Sequence, residues 1–196
     1  MNATAQAPSS TSEARSYSIV KLDTQLGNFT ATFERYRAGF FAVLRKGYAG
    51  AYHGDGYHLR RIIRGRAVIY LATTARDVVI GAAYIKRNRR RGGTSVDPRH
   101  RGQGVATALI QSSFAEFPEQ YSIISVDNDG MINLLLKLGF VRATSVAEIR
   151  AVTRGEFRYL SDFRADNGYM LFCRHSETRR AERKLLTLFY RKRSVT

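Results

Sequence analysis

Eight consecutive residues, Arg99-His-Arg-Gly-Gln-Gly-Val-Ala106, carry the densest potential chemistry in the chain. They place two arginines, two glycines and small apolar residues where a helix is about to begin. A helix start offers backbone N–H groups without intrahelical partners and a partial positive charge, and glycine lets an anion reach those amides without meeting a Cβ. Arg99 and Arg101 would add charge-assisted hydrogen bonds. The stretch therefore reads as a clamp for a diphosphate. On these eight residues alone, a glycine turn leading into a surface helix with solvated arginines is an equal alternative.

Other chemistries find less support. A single cysteine, Cys173, excludes an internal disulfide framework and a cysteine-rich zinc site; it reads as a small buried strand residue, in a reducing, cytoplasmic setting. The four histidines, His53, His58, His100 and His175, show none of the i, i+4 pairing that marks a metal-binding helix, so no metal is expected. Net charge is the strongest compositional signal: 32 Lys and Arg stand against 16 Asp and Glu, a formal +16. Such an excess repels itself unless a polyanion is near, which brings in nucleic acid, a ribonucleoprotein or an anionic membrane surface, beside a protein that is merely basic.

Positioning the clamp requires a strand before it and a helix after it, and the pattern supplies both. Thr94-Ser-Val-Asp reads as a short strand ended by Pro98. From Gln103 onward the residues are apolar or small on nearly every side, which predicts a helix buried against a sheet and closed by Pro118. Upstream, Ala67–Thr73 and Val78–Ile85 are apolar, β-rich runs joined by Thr74-Ala-Arg-Asp, a hairpin covered on both faces. The spacing of Phe29, Phe33, Tyr36, Phe40 and Leu44 predicts an amphipathic helix over Leu26–Lys46. Gly47–Tyr57, with four glycines and three tyrosines, reads as an irregular loop or a broken helix of the kind that can line a site.

Downstream, Tyr121–Val126 reads as a strand and Met131–Leu138 as a short helix capped by Gly139, with further strands expected over Val141–Ala151 and Tyr169–Arg174. Residues 1–16 read as a flexible tail, and no segment is long and apolar enough to span a membrane. Residues 176–196 read as a basic amphipathic helix: seven of the last twenty are Lys or Arg, and Ala181, Leu185, Leu188 and Phe189 share one face. Lys86–Arg91 adds a second basic cluster that includes Arg89, Arg90 and Arg91.

A strand ending Val96-Asp-Pro, followed by Arg101-Gly-Gln-Gly-Val-Ala at a helix start, resembles the acyl-CoA-binding signature of the GNAT N-acetyltransferase superfamily. Asn128, a short helix and then Lys137-Leu-Gly-Phe140 resemble that family's second motif. A dinucleotide fingerprint would need glycine at Thr107, and a nucleotide P-loop would need a Gly-Lys-Ser or Gly-Lys-Thr that is absent. The resemblance covers roughly Ala67–Arg174. It implies an α/β (α+β) fold: one domain over residues 17–175 with a mixed, mostly antiparallel central sheet flanked by helices, followed by the basic C-terminal helix. It also implies acetyl-CoA as acyl donor, with pyrophosphate on the backbone of Arg101, Gly102, Gln103, Gly104, Val105 and Ala106. The pantetheine arm would pair with the edge of Ser95-Val96, and Asn128 would lie near the thioester while also capping its helix.

The implied reaction is direct attack of a neutral amine on the thioester, which calls for a base and an acid. The family's frequent acid is a tyrosine seven residues after the Asn, a position held here by Leu135. Water, the low basicity of the departing thiolate, Tyr169 or Ser125 are the substitutes, or the protein binds without catalysing. The frequent Glu base on the strand before the clamp is also missing, leaving Asp97 and Asp127 as the nearest carboxylates. Asp97 is expected to shape the turn before Pro98, while Asp127, beside Asn128, is a candidate. The expected activity is acetyl transfer to a primary amine on an acidic or nucleic-acid-associated macromolecule: RNA, charged tRNA or a ribonucleoprotein, with an anionic membrane second to these and a homodimer left open. The alternative is a non-catalytic acyl-CoA sensor or nucleic-acid-binding protein on the same fold.

Overall fold

The computed structural model describes residues 16–48, 54–87, 92–143, 147 and 168–174. Two strands, β2 (Ala67–Thr74) and β3 (Val79–Lys86), are buried nearly end to end. Residues apolar on both faces of a strand need cover on both sides, which puts this hairpin mid-sheet. β1 (Tyr17–Leu22) flanks β2 and β4 (Gly92–Val96) flanks β3, giving an antiparallel sheet of order β1-β2-β3-β4.

Side chains alternate between the two faces. Ile69, Leu71, Ala82 and Tyr84 face α1 (Phe29–Tyr48) and α2 (Asp55–Ile63), meeting Phe33, Phe40, Leu44 and Ile62. Val68, Tyr70, Ala83 and Ile85 face α3 (Val105–Ser112), meeting Val105, Leu109 and Phe117, and Ile80 joins them because a register shift at Ala72/Thr73 interrupts the alternation before Gly81. A second antiparallel sheet has the order β5-β7-β6, with β5 at Gln120–Ser125, β6 at Val141–Arg142 and β7 at Tyr169–Arg174. α4 (Asp129–Lys137) places Leu135 with Ile110, Phe140 and Phe172.

The fold class is the expected one, and several details differ. The central sheet is split: among the described residues every ladder is antiparallel and none joins β4 to β5. A side-chain bond bridges them at one end, from Ser122 Oγ to the Gly92 carbonyl at 3.0 Å. β1, unmarked in the pattern, is present. Of the two readings for Gly47–Tyr57, the broken helix fits the described ends, because α1 runs on to Tyr48 and α2 begins at Asp55. Only two residues of the strand expected over Val141–Ala151 are extended among those described. The N-terminal tail, Arg89–Arg91 and the basic C-terminal helix lie outside the described residues.

A polar cluster ties the sheet's α3 face together. Glu116 accepts from Arg87 Nη1 at 2.7 Å and from the Tyr70 hydroxyl at 3.1 Å, and pairs with Lys21 at 2.7 Å. Arg87 also pairs with the buried Asp23. Burial alone would raise both carboxyls, but the cations around them hold both below their ordinary values: Arg87 and Lys21 with the Gln25 N–H at Asp23, Lys21 and Arg87 with the Tyr70 hydroxyl at Glu116.

Candidate active site

β4 ends at Val96, and Asp97 turns the chain. Its carboxylate caps the single 3₁₀ turn Pro98–His100 by accepting from the Arg99 N–H at 3.1 Å, and it accepts from the Arg99 guanidinium at 3.2 Å and from Lys46 Nζ at 2.8 Å. Hydrogen bonds from Arg99 and then Lys46 hold the Asp97 carboxyl far below the usual carboxylate range. Asp97 is thus a turn residue that also fastens the clamp to α1, as its sequence position suggests. The Arg99 guanidinium, expected to serve an anion at the helix start, is bonded to the Asp97 carboxylate.

After Arg101 the backbone swings through Gly102 at φ 76° and Gly104 at φ 74°, the latter being the residue before α3. L-residues with a Cβ rarely adopt that conformation. Gly104 has no side chain with which to cap α3, so the first-turn amides stay available. A Cβ at Gly102 would meet nothing within 4 Å, and one at Gly104 only the Tyr17 hydroxyl at 3.7 Å, so the space above these amides is open. Arg101 and Gln103 are exposed, while the Val105 side chain is sunk in the core, leaving its amide as the usable group.

The free edge of β4 follows from one hydrogen bond. Asp97 N–H donates to the Ile80 carbonyl at 2.9 Å, which makes those two a hydrogen-bonded pair of the antiparallel ladder. Pairing alternates along such a ladder, so Ser95 turns its backbone groups toward β3 while Thr94 and Val96 turn theirs outward. Ser95 therefore does not present its backbone at the free edge expected of it, and its side chain is buried and donates to the Val43 carbonyl at 2.8 Å. Thr94, absent from the expected edge, takes its place beside Val96.

Between β4 and β5 lies a cavity of about 550 Å³. The expected Ser125, Asn128 and Tyr169 line it, and Ser125 and Tyr169 are direct partners across the β5·β7 ladder. Asn128 Oδ1 accepts from Met131 N–H at 3.1 Å, capping α4, so its Nδ2 is what it can offer the cavity. Leu135, 2% exposed, forms part of the wall where a phenol would be needed for proton donation. Asp127 is exposed and does not line the cavity. Gly47 and Tyr57, from the stretch expected to line a site, form part of the opposite wall, but sequence reasoning missed His58 from α2 and Tyr84 and Lys86 from β3. The His58 ring stands edge-on to both Tyr57 and Tyr84, each with centroids 5.2 Å apart and planes at 89°.

The model of the acetyltransferase (GNAT) family matches residues 44–140, a span that contains the clamp, the split strands and the α4 motif. The chain carries a GNAT acetyltransferase domain. Solved structures agree on the fold. The ribosomal-protein-S18-alanine N-acetyltransferase from Escherichia coli superposes with a TM-score of 0.55 at 14% identity, covering 80% of this chain and 92% of that one. A putative acetyltransferase from Acinetobacter baylyi ADP1 gives 0.56 at 11% identity, covering 80% and 91%. Comparison with curated proteins returns no match.

Acetyl-CoA is the acyl donor of a GNAT domain, and the residues present fit it. The open cradle over Gly102 and Gly104 suits a diphosphate, and the outward groups of Thr94 and Val96 suit a chain of amides laid along the edge. The space between β4 and β5 would take the acyl end. Bound there, the donor supplies an activated acetyl thioester.

Proposed function

We propose that the protein moves the acetyl group of acetyl-CoA to a primary amine on an acidic or nucleic-acid-associated macromolecule, RNA-linked acceptors included, in the cytoplasm. The observation that carries this reading is the composition of the cavity: among the described residues that line it there is no carboxylate, and Lys86 is present. A polyamine or other multiply cationic acceptor would find no carboxylate among those described residues for its remaining charges and would enter against the field of a +16 chain. An amine carried on a neutral or anionic scaffold meets neither obstacle. In this reading the amides of residues 102–106 and Arg101 hold the pyrophosphate, the Thr94 and Val96 edge holds the pantetheine, and Asn128 Nδ2 steadies the acyl end. Ser125 or Tyr169 returns a proton to sulfur in place of the missing phenol at position 135.

Transfer of labelled acetyl onto fractionated lysate, with and without RNase, tests it. Label on macromolecular fractions supports the reading, and loss of that label after RNase assigns the acceptor to RNA or to something RNA presents. Acetyl-CoA that raises the melting temperature without any transfer would favour the acyl-CoA sensor instead, and label confined to small polyamines would refute the acceptor class.

A further inference from the structure

We infer that His58 is the base that takes the proton from the acceptor amine. The inference rests on the transferase reading above and deepens it. Its starting point is an inventory. The titratable groups that line the cavity among the described residues are His58, Tyr57, Tyr84, Lys86, Tyr121 and Tyr169. Phenols and ammonium groups are protonated at neutral pH, and an imidazole is the side chain that is substantially unprotonated there and still basic. Both carboxylates nearest in sequence are out of play, Asp97 locked to Arg99 and Lys46 and Asp127 outside the cavity wall.

Placement supports the assignment. Leu59 and Ile62 root α2 in the core, and Asp55 in its first turn pairs with Arg45 of α1 at 2.8 Å, so the helix is tied at both ends. Tyr57 and Tyr84 hold the imidazole edge-on from two sides. Tyr84 pairs with Gly93 on β4, and with no side chain at that position nothing on β4 stands between the Tyr84–His58 face and the strand edge. His58 thus faces, across one cavity, the Ser125, Asn128 and Tyr169 wall to which the acyl end is assigned.

The proton balance is as follows. The acceptor ammonium gives one proton to an imidazole nitrogen of His58, which passes it to solvent. The amine nitrogen then bonds to the acetyl carbon, the carbon–sulfur bond breaks, and the nitrogen's second proton ends on sulfur, giving amide and CoA thiol.

The test uses the full chain with His58→Ala and His58→Gln. Both variants should bind acetyl-CoA by calorimetry, and show its melting-temperature shift, as the parent does. Transfer to lysate should fall at least 100-fold, the rise of rate with pH through neutrality should vanish, and added imidazole should restore activity to His58→Ala. A wild-type rate and pH profile in both variants would overturn the assignment. Absence of acetyl-CoA binding, or of any transfer, by the parent would overturn the transferase reading and this inference with it. Loss of melting shift in both variants would make His58 a structural residue and overturn its role as base.

Discussion

Gly47 gives the sharpest test of how the cleft is built. It lies in the last turn of α1, is exposed, and lines the cavity. An exposed helical glycine changed to alanine ordinarily gains up to about 1 kcal/mol. Here a Cβ at position 47 would stand 1.8 Å from Ser95 Oγ, 2.5 Å from Ser95 Cβ and 3.4 Å from Ser95 Cα. Ser95 cannot swing aside cheaply, because it is buried and its hydroxyl is bonded to the Val43 carbonyl. Overpacking costs about 1–3 kcal/mol and loss of that hydrogen bond about 1 kcal/mol. Set against the helix gain, Gly47→Ala should destabilise by about 1–3 kcal/mol, a drop of roughly 2–12 °C for a chain of this size. Removing the obstacle should reverse the sign of the alanine effect: in a Ser95→Gly background only Cα at 3.4 Å remains, so Gly47→Ala should be neutral or stabilising there. Thermal melts of the four proteins complete the cycle. A Gly47→Ala protein as stable as the parent, or a cycle without coupling, would refute the close contact of α1 with β4.

Two further predictions follow from the clamp and the polar cluster. Gly104→Val puts a β-branched residue at φ 74° and a side chain in the open space over the amides, so the melting shift given by acetyl-CoA, roughly 2.7 kcal/mol at 100 times Kd, should disappear; an unchanged shift would show that the anion binds elsewhere. Asp23 and Glu116 are both held below their unfolded values, so their contribution is complete above pH about 4–5 and is lost as pH falls through their folded values. Melting temperature should therefore drop from pH 5 to pH 3, and Glu116→Gln should flatten that slope; parallel profiles would contradict the role given to Glu116.

The clamp was legible because it is contiguous: glycines at 102 and 104, a strand before and an apolar helix after all fall within one stretch, and no distant residue is needed to recognise them. The same holds for the β2–β3 hairpin and for Asn128, whose cap and cavity positions coincide. What stayed hidden depends on contacts distant in sequence or on short-range competition. Arg99 looked like a phosphate ligand until Asp97, two residues earlier, was seen to hold its guanidinium. Ser95 looked like an edge residue, and only the Asp97–Ile80 bond reveals which way its backbone faces. α2 starts after Gly54 and carries Gly56 in its first turn, and these glycines mask a helix stabilised by burial of Ile62 rather than by propensity. His58 was therefore weighed only as a metal ligand, while its neighbours Leu59 and Ile62, apolar at helical spacing, were the available signal.

The charge of the chain and the make-up of the cavity then bear on one another. Six of the acidic residues, Asp23, Glu34, Asp55, Asp77, Asp97 and Glu116, are engaged in ion pairs with lysines or arginines. Their charge is neutralised locally, so the excess of cations sets the sign of the outer field, which attracts an anionic carrier. On the proposed reading, the carrier is drawn in by its own charge, and the described cavity wall, which holds no carboxylate, offers the amine no ion pair that would keep it as an ammonium.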